Sequence, residues 1–145
     1  MPVHKSLRQH KLLIDTHVWI WLMLGDEKLS ISFRHTVEHH KEQEFIFVSA
    51  ISIWELGMLV ERRRIGLEMN CLDWVEEALG NGINLLPLTP RIAIQSTRLP
   101  ENSHGDPADR ILIATAHEYH AVLVTHDQKL LNYGKNKFID VYDPV

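Results

Sequence analysis

The stretch Asp106-Pro-Ala-Asp-Arg-Ile-Leu-Ile-Ala-Thr-Ala116 decides the fold that this sequence predicts. Asp106 followed by Pro107 is typical of a helix start, because aspartate caps free backbone N–H groups and proline fits the first helical position. Asp109 then falls in the first turn, where the helix dipole favours a carboxylate. The residues behind it, 111–116, are largely apolar and predict burial. The stretch therefore predicts a buried rod with an acidic tip, and a simple capping pair remains the alternative for the two acids.

Size and charge limit the classes of protein to which the chain can belong. Its 145 residues suit one domain around one core. The single cysteine, Cys71, excludes an intramolecular disulfide and favours the cytoplasm. The net charge of −4 gives no global basic signature of a nucleic-acid binder, but it leaves open an enzyme that holds an anionic substrate through metal ions. We expect residues 1–10 to form a flexible N-terminal extension without a signal peptide, and residues 11–145 to form a single domain.

Short apolar runs alternate with helical patterns along the chain. The patterns predict strands at 11–15, 45–49, 83–88, 121–125 and, at an edge, 138–141. They predict helices at 16–24, 32–43, 50–64, 72–79, 90–98 and 128–133, besides the helix that begins after Asp106. Such alternation predicts an α/β fold, a three-layer α/β/α sandwich with a central, mostly parallel four- or five-stranded sheet. In open α/β sheets, the site lies beyond the carboxyl ends of the strands.

Four acids are expected at that edge of the sheet. Asp15 and Asp127 follow the first and fourth strands, Glu55 lies in the helix after the second, and Asp109 opens the helix before the fourth. Two of them have a capping alternative, and Glu55 could lie on a solvated face. However, Glu55 stands inside the apolar run 50–59, where a solvated charge is unexpected, and charges are rarely buried unless they are paired or bound to a cation.

Convergence of these acids would call for a cation. Two carboxylates about 5 Å apart repel by roughly 3 kcal/mol at an effective dielectric constant of about 20. Oxygen ligands favour Mg²⁺ or Mn²⁺ over zinc, although His17, His104 and His126 flank the acids and keep a zinc or mixed site open. The chemistry that follows from such a site is metal-assisted hydrolysis of a phosphodiester.

The motifs around these acids resemble the PIN-domain family, and in particular the VapC ribonuclease toxins of type II toxin–antitoxin modules. The resemblance covers residues 12–140 and is carried by Leu13-Ile-Asp15-Thr-His, Ser49-Ala-Ile-Ser-Ile-Trp-Glu55, the stretch 106–116 and Leu123-Val-Thr125-His-Asp127. The four motifs stand in the family's order and fall on the matching elements.

The resemblance implies a Mg²⁺- or Mn²⁺-dependent endoribonuclease whose catalytic and metal-binding acids are Asp15, Glu55, Asp109 and Asp127. In that family Asp15 and Asp109 would be the main metal ligands, Glu55 would hold the ion or its water, and Thr125 would support Asp127 through its hydroxyl. Thr16 would support the ligands, and Asp106 would act first as a helix cap and a support of the ligands and second as a ligand itself. The resemblance also implies a homodimer and a cognate antitoxin that blocks the site. One position departs from the pattern, because relatives often carry a lysine where this chain has Leu59.

The arginines, two of the tryptophans and a histidine pair also lead to structural expectations. Arg110 and the run Arg62-Arg63-Arg64 could rim an acidic pocket for RNA, although the run could equally be a solvated helix end. Trp19 and Trp21 lie two apart on one helix, so one should face the core and the other an interface. The pair His39-His40 predicts a polar helix face.

Two functions of other classes stay open. One is a catalytically silent binding module on the same scaffold. The other is a phosphoacceptor signalling domain, which also gathers acids at strand ends but requires a lone aspartate nucleophile after a central strand.

Overall fold

The computed structural model describes residues 7–101 and 105–145. Within these ranges the strands are β1 Leu12–Ile14, β2 Ile46–Ser49, β3 Ile83–Leu86, β4 Val122–Val124 and β5 Val141–Tyr142. The α-helices are α1 Thr16–Leu24, α2 Ile31–Glu42, α3 Ala50–Glu61, α4 Cys71–Ala78, α5 Pro90–Ser96, α6 Pro107–Tyr119 and α7 Gln128–Tyr133. A short 3₁₀ helix, Gly134–Asn136, follows α7. Among the described residues, no helix is both long enough and apolar enough to cross a bilayer.

The strands form one sheet in the order β3-β2-β1-β4-β5, and every neighbouring pair is parallel. β1 lies in the centre, where Leu12 pairs with Ile46 on one side and with Val122 on the other. The predicted α/β/α class with a mostly parallel sheet is confirmed, and the sheet has the larger of the two predicted strand counts.

Side chains alternate across the sheet and build one core on each of its faces. Leu12 and Ile14 point to a core that also takes Trp19 from α1 and Phe33 from α2. Leu13 points to the opposite core, which is filled largely by α5, α6 and α7. Because the sheet is covered on both faces, its short strands are almost continuously apolar, as parallel strands usually are.

The strand order reverses beside β1, and this reversal fixes the place of the site. The chain runs from β1 through β2 to β3 on one side and then crosses back to β4 on the other side of β1. Adjacent strands whose connections leave in opposite directions open a crevice at their carboxyl ends. Asp15 follows β1 directly, and Asp127 lies three positions beyond β4, so both acids lie at this crevice.

Two local predictions need correction. The edge strand was expected at 138–141, but it occupies Val141–Tyr142, because the ring of Phe138 instead stacks on His117 with 3.9 Å between ring centroids. His40 was expected on a polar face and is fully buried. Its ring nitrogens lie 2.8 Å from the carbonyl oxygens of Thr36 and Leu7, which explains how an imidazole is tolerated there.

The segment predicted as an N-terminal extension contributes to this packing. Leu7 is 2% exposed and belongs to the core that also contains Trp19. Residues 1–6 lie outside the described residues.

Candidate active site

The carboxyl ends of β1 and β4 border a cavity of about 250 Å³. The residues that line it are Asp15, Thr16, His17, Trp21, Glu55, Asp106, Asp109, Leu112, His126 and Asp127. All four predicted acids are therefore in one place, together with two of the three residues that were expected to support them. The third, Thr125, lies directly beneath and is fully buried.

Asp15 is the most deeply held of the acids, at 7% exposure. It caps α1 by accepting a hydrogen bond from the Val18 backbone N–H at 2.9 Å through Oδ1, and its Oδ2 accepts one from the Thr125 hydroxyl. Burial raises the pKa of this carboxyl, and the two hydrogen bonds oppose that rise. Asp15 can therefore cap α1 and still bind a ligand in the cavity, because each of its carboxylate oxygens keeps a second lone pair.

Thr125 links two of the acids. Its hydroxyl donates to the Asp15 carboxylate, and its oxygen accepts from the Asp127 backbone N–H at 3.0 Å. It was expected to support Asp127 through its hydroxyl. The structure shows that contact with the Asp127 backbone and adds a second one to the Asp15 side chain, so this hydroxyl fixes the geometry of both segments.

Glu55 is the sixth residue of α3 and lies partly buried in the cavity wall. The Thr16 hydroxyl donates to its Oε1 at 2.6 Å, and the same hydroxyl oxygen lies 2.9 Å from Ser52 Oγ. Burial raises the pKa of Glu55, as do the negative charges of Asp106 and Asp15, while the Thr16 hydrogen bond lowers it. A solvated helix face is therefore the wrong description of this residue.

The pKa of Asp109 is raised by burial and by the carboxylates around it. Burial, followed by the charges of Asp106, Asp127, Glu55 and Asp15, raises its pKa to about 7. It stands in the first turn of α6, where the helix dipole favours a negative charge, but the neighbouring carboxylates outweigh that help. A perturbed carboxyl in a cleft, with named charged neighbours, is typical of a functional site.

Asp106 and Asp127 cap the helices that border the cavity. Asp106 Oδ1 accepts from the Ala108 backbone N–H at 2.9 Å at the start of α6. Asp127 Oδ1 accepts from the backbone N–H groups of Lys129 at 2.8 Å and Leu130 at 3.3 Å at the start of α7. Both side chains are exposed, so each presents a carboxylate to the solvent-filled cavity.

Trp21 forms the far wall of the cavity. Its ring centroid lies 6.2 Å from that of His17 and 6.0 Å from that of His126, and Lys28 Nζ lies 4.9 Å from its ring. Trp19, as predicted for one of the two tryptophans, is fully buried. The other tryptophan, Trp21, was expected at an interface. The sequence analysis did not predict that it lines the cavity. His104, the third flanking histidine, lies outside the described residues.

The structure does not bring Arg110 to the rim. Its Nε donates to the Ser96 carbonyl oxygen at 2.8 Å, so the side chain is turned towards α5, and it lines neither this cavity nor the one beside it. The expectation that Arg110 meets RNA at the mouth is therefore wrong. Arg62 and Arg64 line the adjoining cavity, which shares a wall with this one.

The donor set of the cavity fits a hard divalent cation. Its acids offer carboxylate oxygens, which Mg²⁺ and Mn²⁺ prefer, and their mutual repulsion would be relieved by a positive charge among them. Across residues 7–101 and 105–145, however, no three His, Cys, Asp or Glu side chains are arranged so that they could hold an ion as they stand. Capture of an ion would thus require rotation of side chains at the mouth, where Asp106 and Asp127 are exposed.

Comparison with known proteins identifies the family. The model of the PIN domain matches residues 12–136. The chain belongs to the PIN-domain family. It is also 34% identical over 131 residues to Ribonuclease VapC22 of Mycobacterium tuberculosis (strain ATCC 25618 / H37Rv), a match that covers 90% of this chain and 98% of that protein. The resemblance drawn from the four motifs is thereby confirmed.

Several solved structures share the fold of this chain. A VapBC2 complex from Rickettsia felis, bound to a DNA fragment from its promoter, superposes with a TM-score of 0.67 at 12% identity, over 91% of this chain and 97% of that one. A toxin–antitoxin complex from Klebsiella pneumoniae gives a TM-score of 0.62 at 20% identity, over 92% and 98%. At these identities the likeness concerns the fold.

Proposed function

We propose that this PIN-domain protein is a metal-dependent endoribonuclease that acts as the toxin of a toxin–antitoxin pair. The observation that carries the proposal is the convergence of Asp15, Glu55, Asp109 and Asp127 on one cavity at the strand-order reversal. The similarity to a ribonuclease over 90% of the chain supports RNA as the substrate.

The chain's own residues would divide the work as follows. Asp15 and Asp109 would hold Mg²⁺ or Mn²⁺, and Glu55 and Asp127 would help to hold it. Thr125 and Thr16 keep Asp15 and Glu55 in place through their hydroxyls. When bound, the ion supplies a water of lowered pKa and neutralises charge on the scissile phosphate. Asp109, with its pKa of about 7, takes up or gives up a proton near neutral pH unless a cation holds it ionised.

Two kinds of protein partner belong to the proposal. The neighbouring structures include toxin–antitoxin complexes, which supports a cognate antitoxin that covers the site and a homodimeric toxin. An antitoxin that inhibits by occupying the cavity would have to meet its carboxylates with a basic group, because a buried unpaired charge is strongly unfavourable.

The decisive experiment is cleavage of total RNA by the purified chain, with Mn²⁺ and with a chelator, followed by mapping of the cut ends. Asp109→Asn and Asp15→Asn are expected to lower the cleavage rate about 10³-fold or more, because several kcal/mol of charge stabilisation would be lost. Asp73→Asn is the control, since Asp73, like Asp109, is an acid in the first turn of a helix, here α4, but it is exposed and lies outside the cavity.

Three outcomes would contradict the proposal. Undiminished cleavage by folded Asp15→Asn and Asp109→Asn variants would remove the acids from the chemistry. A folded wild-type chain that neither binds Mn²⁺ nor cuts RNA would favour the silent binding module. A mass gain of one phosphoryl group after incubation with a small phosphodonor would instead identify a phosphoacceptor domain.

A further inference from the structure

A second cavity, of about 370 Å³, opens directly beside the acidic one. The two cavities share three lining residues, His17, Glu55 and Asp106. We call the second cavity the Trp54 groove. Its own lining residues are Trp54, Met58, Leu59, Arg62, Arg64, Pro107 and Ala108.

One face of α3 forms the floor of the Trp54 groove. Trp54, Met58 and Arg62 follow one another at four-residue spacing, so they lie in a row along one side of the helix. Eight residues of helix span about 12 Å. A flat aromatic ring therefore lies near the acidic cavity, and a guanidinium lies about 12 Å further along the same row.

The ring of Trp54 is available to a ligand. Its side chain is 59% exposed, which is unusual for a residue of this size on an otherwise partly buried helix. Within residues 7–101 and 105–145, no aromatic ring stacks on it, and the cation–π contact of the described part is made with Trp21 instead.

The arginines supply the positive charge that the acidic cavity lacks. Arg62 and Arg64 are exposed, and no carboxylate of the described residues forms an ion pair with either. All arginine side chains that line the two cavities, as far as the described residues show, are in the Trp54 groove. An anionic strand led towards a cluster of carboxylates would gain its phosphate contacts here.

We infer that the Trp54 groove is a subsite for the nucleotides of single-stranded RNA next to the scissile phosphate. In this subsite a base stacks on Trp54, and Arg62 and Arg64 contact the backbone phosphates that follow. The inference rests on the proposed function, because it takes the acidic cavity as the place of the scissile phosphate. An aromatic platform beside cationic side chains is the usual means of binding single strands, since every base has a stacking face and every nucleotide a phosphate.

Binding of RNA without cleavage tests the subsite separately from the chemistry. The probe is a fluorescein-labelled single-stranded RNA 12-mer of mixed sequence, added to the full chain carrying Asp109→Asn, in chelator, and followed by fluorescence anisotropy. A 12-mer of the same backbone without bases is measured in parallel. Trp54→Ala is expected to weaken binding of the RNA about tenfold and to leave the abasic strand almost unaffected, because only stacking is lost. Trp54→Phe is expected to restore most of the affinity.

Arg62 and Arg64 are expected to contribute to binding of both the RNA 12-mer and the abasic 12-mer. Arg62→Ala and Arg64→Ala should each weaken binding and each reduce the slope of log affinity against log salt by about 0.7, the value for one phosphate contact on a single strand. Arg63→Asn is the matched control, because Arg63 does not line the groove and its positive φ of 55° suits asparagine. Leu72→Ala removes an equally exposed apolar side chain elsewhere, on α4, and should change nothing.

The experiments distinguish a failure of the proposed subsite from a failure of the proposed function. If the wild-type chain cuts RNA but Trp54→Ala binds the 12-mer as its parent does, the subsite is refuted and the proposed function stands. If Trp54→Ala leaves RNA affinity unchanged but turns a dimer into a monomer in sedimentation, the face belongs to a protein interface, and the subsite is again refuted. If the wild-type chain shows no RNA cleavage at all, the proposed function fails first.

Discussion

The acidic cavity and the Trp54 groove share a wall but are built in opposite ways. The acids of the cavity come from four separate segments of the chain, and hydrogen bonds from Thr125 and Thr16 hold Asp15 and Glu55 in place. The groove draws its ring and its arginines from α3 and the three residues after it, and all three of these side chains are exposed.

The difference shows that a cluster of like charges needs a rigid support, whereas a binding surface for a flexible strand does not. Like charges gather only where the surrounding fold holds them, and the buried contacts of Asp15 with Val18 and Thr125 show that restraint. Recognition of a flexible strand needs no such restraint, because stacking and phosphate contacts tolerate small movements. Changes beneath the cavity should therefore affect the chemical step and stability, whereas changes in the groove should affect affinity.

Apart from the acids themselves, the largest effect on the cleavage rate is expected from Thr125, beneath the cavity. Thr125→Val removes the hydroxyl that donates to Asp15 while keeping the shape of the side chain. We expect the cleavage rate to fall about 10- to 100-fold, as it does when a support of a metal ligand is lost. Single-turnover cleavage with saturating Mn²⁺ measures this effect, and Thr125→Ser should recover most of the rate. A valine variant that cuts at the parent rate would show that Asp15 needs no such support.

A second effect concerns stability and pH in the absence of metal. The pKa of Asp109 is raised to about 7 from 3.8, so the folded chain keeps a proton that the unfolded chain has already released at about pH 5 to 6. The free energy of unfolding should thus be lower at about pH 8 and should rise as the pH falls towards about 5. Asp109→Asn should raise Tm at about pH 8 by a few degrees and flatten the dependence.

Thermal unfolding in chelator at several pH values measures this, with Asp73→Asn as the control acid in a comparable helical position. Asp15 and Glu55 also have raised pKa values, so some dependence of the same sign should remain. If the Asp109→Asn variant melted below its parent at high pH, the ionised Asp109 carboxylate would not be destabilised by its burial and by the neighbouring carboxylates.

A smaller effect on the cleavage rate is expected from Thr16, which bonds to Glu55 in the wall that the cavity and the groove share. Thr16→Val removes the 2.6 Å hydrogen bond to Glu55. Because Glu55 is only partly buried, water can replace part of the lost contact, and we expect cleavage to fall about tenfold, with Thr16→Ser close to the parent. A loss as large as that of Asp109→Asn would mean that Thr16 contacts the reacting groups itself.

The smallest effect is expected inside the groove. Leu59→Lys adds a cation to the groove that Arg62 and Arg64 also line. RNA affinity should improve by up to about fivefold at low salt, since an exposed charge contact is worth little, and the salt slope should steepen by about 0.7. An unchanged salt slope would place Leu59 away from the path of the strand.

The sequence alone predicted the elements that depend on local patterns. The cap of Asp106 and Pro107, the apolar body of α6 and the alternation of strands with helices all follow from neighbours along the chain. The convergence of the four acids followed from one further rule, that the carboxyl ends of parallel strands lie at the same edge.

The features that escaped prediction depend on distant partners. His40 looks polar in its own helix, and its burial becomes intelligible only once its contact with Leu7, 33 positions away, is known. Arg110 follows directly after an active-site acid, yet its guanidinium is turned towards Ser96. Thr125 does contact its near neighbour Asp127, but the bond from its hydroxyl to Asp15, 110 positions away, was not predicted.

The pairing of Thr125 with Asp15 joins positions 110 residues apart, on the adjacent strands β1 and β4. β1 is made first and stays without one of its two neighbours until residues 122–124 have been synthesised. A nascent chain that stops short of β4 thus lacks both the bond that fixes Asp15 and the segment that carries Asp127. The candidate site is therefore complete only after the chain has been synthesised beyond Asp127, however early Asp15 is made.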